Sequence, residues 1–141
     1  MSNVVITTTQ APPAVGPYAQ AVRAGGLIFC SCQLGLDPAS GLLAAGGVVA
    51  EAVRAMNNLR AVLEAAGATL ADVARTTVYL ADLADFPAVN QAYAAFFTGA
   101  PPARATIQAG LPKGARFGID AIACVSPGQP SAPSQPHAKG N

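Results

Sequence analysis

The sequence has few charged side chains, few aromatic rings and a single histidine. Of its 141 residues, 11% are charged, 6% are aromatic and none is tryptophan. Eight basic and seven acidic residues leave a net charge of +1, and the basic residues stand singly along the chain. Binding to nucleic acid or to an anionic membrane requires clustered positive charge, so this pattern argues against both kinds of partner.

Long apolar runs and metal-ligand clusters are also missing. The N-terminus MSNVVITTTQ lacks the basic start and apolar stretch of a signal peptide, and no segment approaches the ~20 apolar residues of a membrane span. Three cysteines and one histidine, His137 near the C-terminus, do not supply the four clustered ligands that zinc prefers. These features predict a cytoplasmic protein with reduced thiols and no metal site. Motifs such as GxGxxG, HExxH and GxSxG do not occur.

Hydrophobic residues make up 52% of the sequence, which is enough for one folded domain with a real core. That domain is predicted to span residues 1–125. Residues 126–141 are rich in Pro, Ser and Gly and show no apolar period, so we expect a mobile C-terminal tail. The large members of the core are expected to be the five phenylalanines: Phe29, Phe86, Phe96, Phe97 and Phe117.

Apolar residues at helical spacing predict two helices. In VVAEAVRAMNNLRAVLEAAG, apolar positions recur every three or four residues from Val53 to Ala66, and Gly67 provides the C-terminal stop. In DFPAVNQAYAAFFTG, Asp85 is the candidate N-cap and Pro87 fits the first turn. The aromatic residues of this second segment fall on one stripe, which is typical of a helix that packs against a core.

Strand patterns surround the two helices. The stretches AQAVRAG and GLIFCSCQ predict a hairpin about Gly25 and Gly26, VARTTVYLADL follows the first helix, and ARATIQA and RFGIDAIACV follow the second. A short N-terminal strand, VVITTT, is also predicted. This order favours an α+β fold in which two helices cover one face of a single mixed sheet.

Side chains alternate between the two faces of a strand, and this assigns the residues of the last two strands. If the apolar residues of ARATIQA face the helices, Arg104 and Thr106 face the other side. The same argument directs Asp120, Ile122 and Cys124 of FGIDAIACV to that side. Because the LPKGAR connection is short, we expect the two strands to be neighbours and the three polar residues to emerge together. The apolar residues of this uncovered face predict a homo-oligomer that closes over it.

Arg104 and Asp120 are the residues best suited to chemistry. A guanidinium can hold a carboxylate through two parallel hydrogen bonds, and a carboxylate at a dry interface can exchange protons with water. The alternative is structural, with Arg104 at a solvated strand end or in an ion pair with Asp120. Tyr18 in GPYAQA is more typical of packing, and Cys30 and Cys32, on alternate strand positions, are more typical of small hydrophobic residues than of nucleophiles.

Four stretches together resemble the Rid family, the RidA or YjgF-type reactive intermediate deaminases. They are GPYAQA, LIFCSCQLGLDPASG, NNLRAVLEAAGATLADVARTTVYLADLADFPAVNQAYAAFF and PPARATIQAGLPKGARFGIDAIA, in family order over residues 3–125. The resemblance implies a chorismate-mutase-like α+β fold and a homotrimer whose sheets line a central barrel, with sites between subunits. It also implies hydrolysis of 2-imino acids and their enamines, such as 2-iminobutanoate and 2-iminopropanoate, to 2-oxo acids and ammonia. No metal or organic cofactor is implied.

The resemblance also implies roles for individual residues. Arg104 matches the arginine that binds the substrate carboxylate, Thr106 matches a residue that faces the ligand, and Asp120 matches a glutamate that orients the hydrolytic water. Three further residues match positions of the cleft: Tyr18, Ser31 and Asn90. Two departures stand out, because Asp120 is one methylene shorter than glutamate and Cys32 replaces a glycine that lies close to the ligand. A side chain at Cys32 is expected to narrow the cleft and to favour small imines.

Two other functions are compatible with the same resemblance. One is a non-catalytic, chaperone-like trimer that uses Arg104 only to hold small carboxylic acids, since a fold does not decide a function. The other is endoribonuclease activity, which is attached to some relatives. Neither a basic groove nor a pair of histidines supports it in this sequence.

Overall fold

The computed structural model describes residues 3–126, and these form one mixed sheet covered on one face by helices. The strands and helices, in chain order, are β1 (Val4–Ile6), β2 (Ala21–Ala24), β3 (Leu27–Leu34), α1 (Val48–Ala65), β4 (Val73–Leu80), α2 (Phe86–Phe96), β5 (Ala103–Gln108) and β6 (Phe117–Cys124). The predicted hairpin, both helices and the N-terminal strand are confirmed. The predicted tail, residues 126–141, lies outside the described residues except for Ser126.

The sheet has the strand order β1-β2-β3-β6-β4-β5. Neighbouring strands are antiparallel except β4 and β5, which are parallel and connected through α2, as parallel strands require a crossover. The prediction that β5 and β6 are neighbours is wrong, because β4 lies between them and pairs with both. The connection from β5 to β6 passes the end of β4, where Ala109 N–H donates to Leu80 O and Ala81 N–H donates to Arg116 O.

The core lies between the helices and the middle strands of the sheet. The apolar face of α1 supplies Met56, Leu59, Val62 and Leu63, each buried to within 1% of complete. Val53, predicted to begin this stripe, is instead 38% exposed. In β6, the residues predicted to face the helices are all buried: Phe117, Ile119, Ala121 and Ala123. Their burial confirms the alternation argument for this strand.

Only some of the phenylalanines behave as predicted. Phe117 is fully buried, and the three phenylalanines of α2 and its C-terminal end pack partly buried against the core: Phe86, Phe96 and Phe97. The prediction for Phe29 is wrong, because it is 42% exposed on the uncovered face of β3. Its neighbours Ile28 and Cys30 occupy the buried face instead.

The ends of the helices follow the predicted residues with one difference. After α1, Gly67 adopts a φ of +85°, which suits glycine and confirms the predicted stop. Asp85 is the N-cap of α2 and proline lies in the first turn, but the Asp85 carboxylate makes no capping hydrogen bond. It lies 3.5 Å from Arg116 Nη2 instead.

The faces predicted for β5 are the reverse of those observed. Arg104 pairs with Thr76, and Thr106 pairs with Val78. Since Thr76 and Val78 are buried beneath the helices, Arg104 and Thr106 lie on the helix side. Ile107 lies on the uncovered side and is 46% exposed. The prediction failed because β5 is an edge strand, where the helix side is only partly covered and tolerates polar residues.

The uncovered face of the sheet is rich in apolar side chains. The strand registers place on it one apolar set: Val5, Val22, Leu27, Phe29, Ile107 and Ile122. Four of these are at least 40% exposed in the single subunit: Val5, Leu27, Phe29 and Ile107. Within residues 3–126, no helix has both the length and the hydropathy to cross a membrane.

Candidate functional site

Arg104 lies where α2 crosses the edge strand β5. Its Nη1 donates a hydrogen bond of 2.7 Å to Asn90 Oδ1, and its Cζ lies 4.8 Å from the centre of the Tyr93 ring and 5.2 Å from that of Phe86. In the chain, these three partners follow one another at intervals of four and three residues: Phe86, Asn90 and Tyr93. They therefore share one face of α2. Tyr93 is itself held by a hydrogen bond of 2.7 Å between its hydroxyl and Thr76 Oγ1. The guanidinium is therefore held in place by an amide and two aromatic rings.

The charged end of Arg104 borders an open groove of about 470 Å³. Its lining comes from α2, from the loop after it and from β5: Asn90, Tyr93, Ala94, Phe97, Pro101, Pro102 and Arg104. Within residues 3–126, the hydrogen bond to Asn90 is the one found for this guanidinium, which has five N–H donors. The remaining donors suit a small carboxylate bound at the groove.

Asp120 lies on the other face of the sheet, where it has a partner that the sequence analysis missed. The Tyr79 hydroxyl donates a hydrogen bond of 2.7 Å to Asp120 Oδ2. Tyr79 pairs with Gly118, and Asp120 pairs with Thr77, so the two side chains are diagonal neighbours across β4 and β6. Alternation in VARTTVYL could have placed Tyr79 on this face, because Val78 and Leu80 beside it are buried.

Cys32 lies beside the same carboxylate because of a β-bulge. Between Cys30 and Gln33 the register with β6 slips by one residue, so Cys30 is buried on the helix side whereas Cys32 is on the uncovered face. The residue Cys32 as a whole is exposed, but its sulfur packs against the sheet beside Gly118. Cys30 thus lies in the core as a small hydrophobic residue, as predicted, whereas Cys32 lies on the opposite face of the sheet.

The cysteine and tyrosine side chains near Asp120 hold their protons firmly. Burial, followed by the charge of Asp120, raises the pKa of Cys32 to about 11 and that of Cys30 to about 12. The hydrogen bond to Asp120, followed by burial and by the carboxylate charge, raises the pKa of Tyr79 to about 12. At neutral pH these groups are neutral, and neither thiol has the lowered pKa that a catalytic nucleophile requires.

Tyr18 and Ser31 lie far from Arg104 in the subunit. Tyr18, 54% exposed in the loop before β2, borders a second cavity of about 690 Å³, and its hydroxyl accepts a hydrogen bond of 3.4 Å from Val15 N. Ser31 Oγ donates to Ala19 O at 2.6 Å, which fastens this loop to β3. Since β2 and β5 are four strands apart in the sheet, about 19 Å separates them.

One subunit thus divides the predicted site residues into three groups. Arg104, Asn90 and Thr106 lie on the helix side at one edge of the sheet, whereas Asp120 and Cys32 lie on the uncovered face. Tyr18 lies toward the opposite edge, in the loop before β2, and Ser31 lies beside Cys32 on β3, where it holds that loop. The prediction that Arg104, Thr106 and Asp120 emerge together is wrong for a single subunit. No group of three or more potential metal ligands was found among residues 3–126.

Comparisons with known proteins cover almost the whole described fold. The family model described as endoribonuclease L-PSP matches residues 8–125. A 2-iminobutanoate/2-iminopropanoate deaminase of Mus musculus is 52% identical over 124 residues, which cover 87% of this chain and 92% of the mouse protein.

Two crystal structures from E. coli have the same fold. TdcF with bound serine gives a TM-score of 0.84 at 35% identity, over 87% of this chain and 98% of TdcF. The YjgF gene product gives a TM-score of 0.82 at 41% identity, over 86% of this chain and 98% of that protein.

Proposed function

Because the chain belongs to the Rid/YjgF family, we propose that it is a hydrolytic deaminase that converts 2-imino acids to 2-oxo acids and ammonia. The expected substrates are 2-iminobutanoate, 2-iminopropanoate and their enamine tautomers. The observation that carries the proposal is the Arg104 guanidinium, held against Asn90 and the Tyr93 ring at the edge of an open groove. The deaminase name of the mouse relative supports the same chemistry.

Binding begins at the substrate carboxylate. Arg104 can offer it two parallel N–H donors, which fix the plane of a small acid in a way that a lysine cannot. Asn90 keeps the guanidinium in this orientation before substrate arrives, so little entropy is lost on binding. Thr106 lies on the same face two residues along β5, outside the lining of this groove, and the resemblance to the Rid family is what assigns it a contact with the rest of the ligand.

Hydrolysis then requires one water molecule, both of whose protons end on the nitrogen that leaves as ammonia. The water oxygen bonds to the imine carbon, Asp120 accepts a proton from this water, and the imine nitrogen takes up a proton to give a carbinolamine. Loss of ammonia from the carbinolamine, with transfer of the hydroxyl proton, leaves the 2-oxo acid. An enamine must first be protonated on carbon to become the imine. Since the imine is already electrophilic, orientation and proton transfer are sufficient, and the proposal requires no cofactor.

The proposed active unit is a homotrimer whose uncovered sheet faces line a central barrel. The exposed apolar residues of that face, such as Phe29 and Ile107, support association because a monomer would leave them in water. Arg104 and Asp120 lie on opposite faces of one sheet, so a site that uses both draws them from two subunits. Tyr18, Ser31 and Cys32 are assigned to the walls of this cleft.

A binding protein without catalysis is the second candidate. It is favoured by the bound serine of TdcF, a small molecule that carries a carboxylate. On this view Arg104 would hold 2-oxo or amino acids and Asp120 would be structural. RNA cleavage, suggested by the description of the family model, finds no support in the scattered single arginines of residues 3–126. We place either activity in the cytoplasm, where the three free cysteines stay reduced.

One assay separates the two candidates. Threonine dehydratase generates 2-iminobutanoate from threonine, and semicarbazide captures the imine that is not hydrolysed. The protein should reduce this capture, and Arg104→Ala should abolish the reduction. Capture that is unaffected by the wild-type protein would contradict the deaminase proposal. Calorimetric titration with 2-oxobutanoate then tests binding alone, which both candidates require of Arg104.

A further inference from the structure

We propose that Tyr79 is a positioning residue for Asp120, holding Oδ2 of the carboxylate so that Oδ1 is the oxygen that contacts the hydrolytic water. This inference rests on the proposed deaminase function. It adds to that function a residue on the uncovered face of β4 that has no part in the reaction as described above. The contact that carries it is the hydrogen bond of 2.7 Å between the Tyr79 hydroxyl and Asp120 Oδ2.

The sheet geometry explains how the two side chains meet. Tyr79 lies opposite Gly118, whereas Asp120 lies opposite Thr77 on the neighbouring strand. The phenol can reach diagonally to the carboxylate because Gly118 has no side chain to block it. A Cβ at Gly118 would lie 2.9 Å from Cys32 Sγ, so this space is already shared with the thiol. Tyr79 on β4 and Cys32 on β3 thus lie on either side of Gly118, two residues before Asp120 on β6.

The hydrogen bond answers a need created by the short side chain of Asp120. An aspartate carboxylate can rotate and exchange its two oxygens, because its terminal torsion is broad. When one oxygen accepts a hydrogen bond from a fixed phenol, the other oxygen points in a single direction. A water molecule that donates to this second oxygen is then held in one position. Aspartate also stops one methylene short of glutamate, so an error in its direction is harder to correct by bending of the side chain.

The protonation of the neighbours suits this arrangement. The pKa of Tyr79 is raised to about 12 by its hydrogen bond to Asp120, so the phenol keeps the proton that it donates. The pKa of Cys32 is raised to about 11, so the thiol adds no second negative charge beside the carboxylate. Asp120 therefore faces one fixed neutral donor and one neutral sulfur.

The test is a double-mutant cycle on imine hydrolysis with Tyr79→Phe, Asp120→Ala and the pair. Tyr79→Phe should lower kcat about tenfold, as expected for the loss of one hydrogen bond to a charged group, and should change KM less than about twofold. In the Asp120→Ala background the same change should have no further effect on kcat. A structural role alone would lower kcat by the same factor in both backgrounds. Tyr79→Phe removes one oxygen atom and should fold, which its melting temperature and oligomeric state verify.

The outcomes distinguish this inference from the proposed function. If the wild-type protein hydrolyses imine and Tyr79→Phe keeps the wild-type kcat, the positioning role is wrong and the deaminase stands. Equal losses of kcat in both backgrounds would also overturn the positioning role. If the wild-type protein hydrolyses no imine, the proposed function fails and the positioning role falls with it.

Discussion

Asn90 on α2 and Arg104 on β5 are joined by a hydrogen bond of 2.7 Å across the edge of the sheet. The helix thereby sets the direction of the one guanidinium that borders the groove beside it. A residue predicted only to lie near the cleft thus acts on the candidate substrate anchor itself. The contribution of this hydrogen bond to substrate binding can be measured by substitution of Asn90.

Asn90→Ala should weaken substrate binding and leave the chemical step largely intact. The Arg104 guanidinium would lose a charge-assisted partner, so we expect KM for 2-iminobutanoate to rise about tenfold. The dissociation constant of 2-oxobutanoate should rise in parallel. The matched control is Gln91→Ala, the next residue of α2, which is exposed and lies outside the lining of the groove. Equal KM values and equal dissociation constants for the two variants would argue that Asn90 does not position Arg104.

Cys32→Gly should broaden the range of substrates. Removing the side chain gives the glycine that the resemblance to the Rid family implies at this position, and opens the space beside Gly118 that the sulfur occupies. We expect kcat/KM for imines of bulky amino acids, such as leucine, to rise relative to 2-iminopropanoate by about tenfold, the effect of one or two methylenes in a pocket. The control is Cys124→Ser. Cys124 is on β6 and on the same face of the sheet as Gly118, but at the other end of the strand. A wild-type enzyme that already favours the bulky imines would contradict the premise.

Alkylation of Cys32 should be slow at neutral pH and faster at high pH. With a pKa of about 11, only about one thiol in a thousand is thiolate at pH 8, and the rate should rise about tenfold per pH unit up to that pKa. Burial is the larger cause of the raised pKa and the Asp120 charge the smaller. Asp120→Asn should therefore lower the pKa and accelerate the reaction of Cys32 with iodoacetamide at pH 8. Mass spectrometry of the Cys32 peptide measures the rate, and an unchanged rate in the variant would exclude the electrostatic cause.

Gly35→Ala should destabilise the fold strongly. A Cβ at this position would lie 2.4 Å from the backbone oxygen of Glu51, so the end of β3 and the first turn of α1 would have to move apart. We expect a loss of about 1–3 kcal/mol in the free energy of unfolding. Gly110→Ala is the control, because no atom outside Gly110 and its two chain neighbours lies within 4 Å of the added Cβ. Chemical denaturation of both variants checks the difference, and equal midpoints would show that β3 and α1 can separate at little cost.

Alternation of side chains predicted the faces correctly for a strand at the centre of the sheet but not for a strand at its edge. It assigned β6 correctly because Phe117 and Ile119 pack under the helices at the centre of the sheet. It failed for β5, an edge strand whose helix side carries Arg104 instead of an apolar residue. Alternation also does not apply across the β-bulge at Cys32, which inserts one residue and reverses the faces of the positions that follow. Neither the edge position nor the bulge has a clear signature in the local pattern.

The sequence by itself determined the elements of this protein: the period of α1, the glycine turn before β3, and the family motifs that point to Arg104 and Asp120. These are local properties, because period, turn chemistry and motif order depend on residues close together in the chain. Tertiary structure alone decided that β4 separates β5 from β6, that Arg104 packs under α2, and that Tyr79 holds Asp120. These contacts join residues 14 and 41 positions apart. They depend on strand order and register, which are set by burial of the whole sheet and not by any one segment.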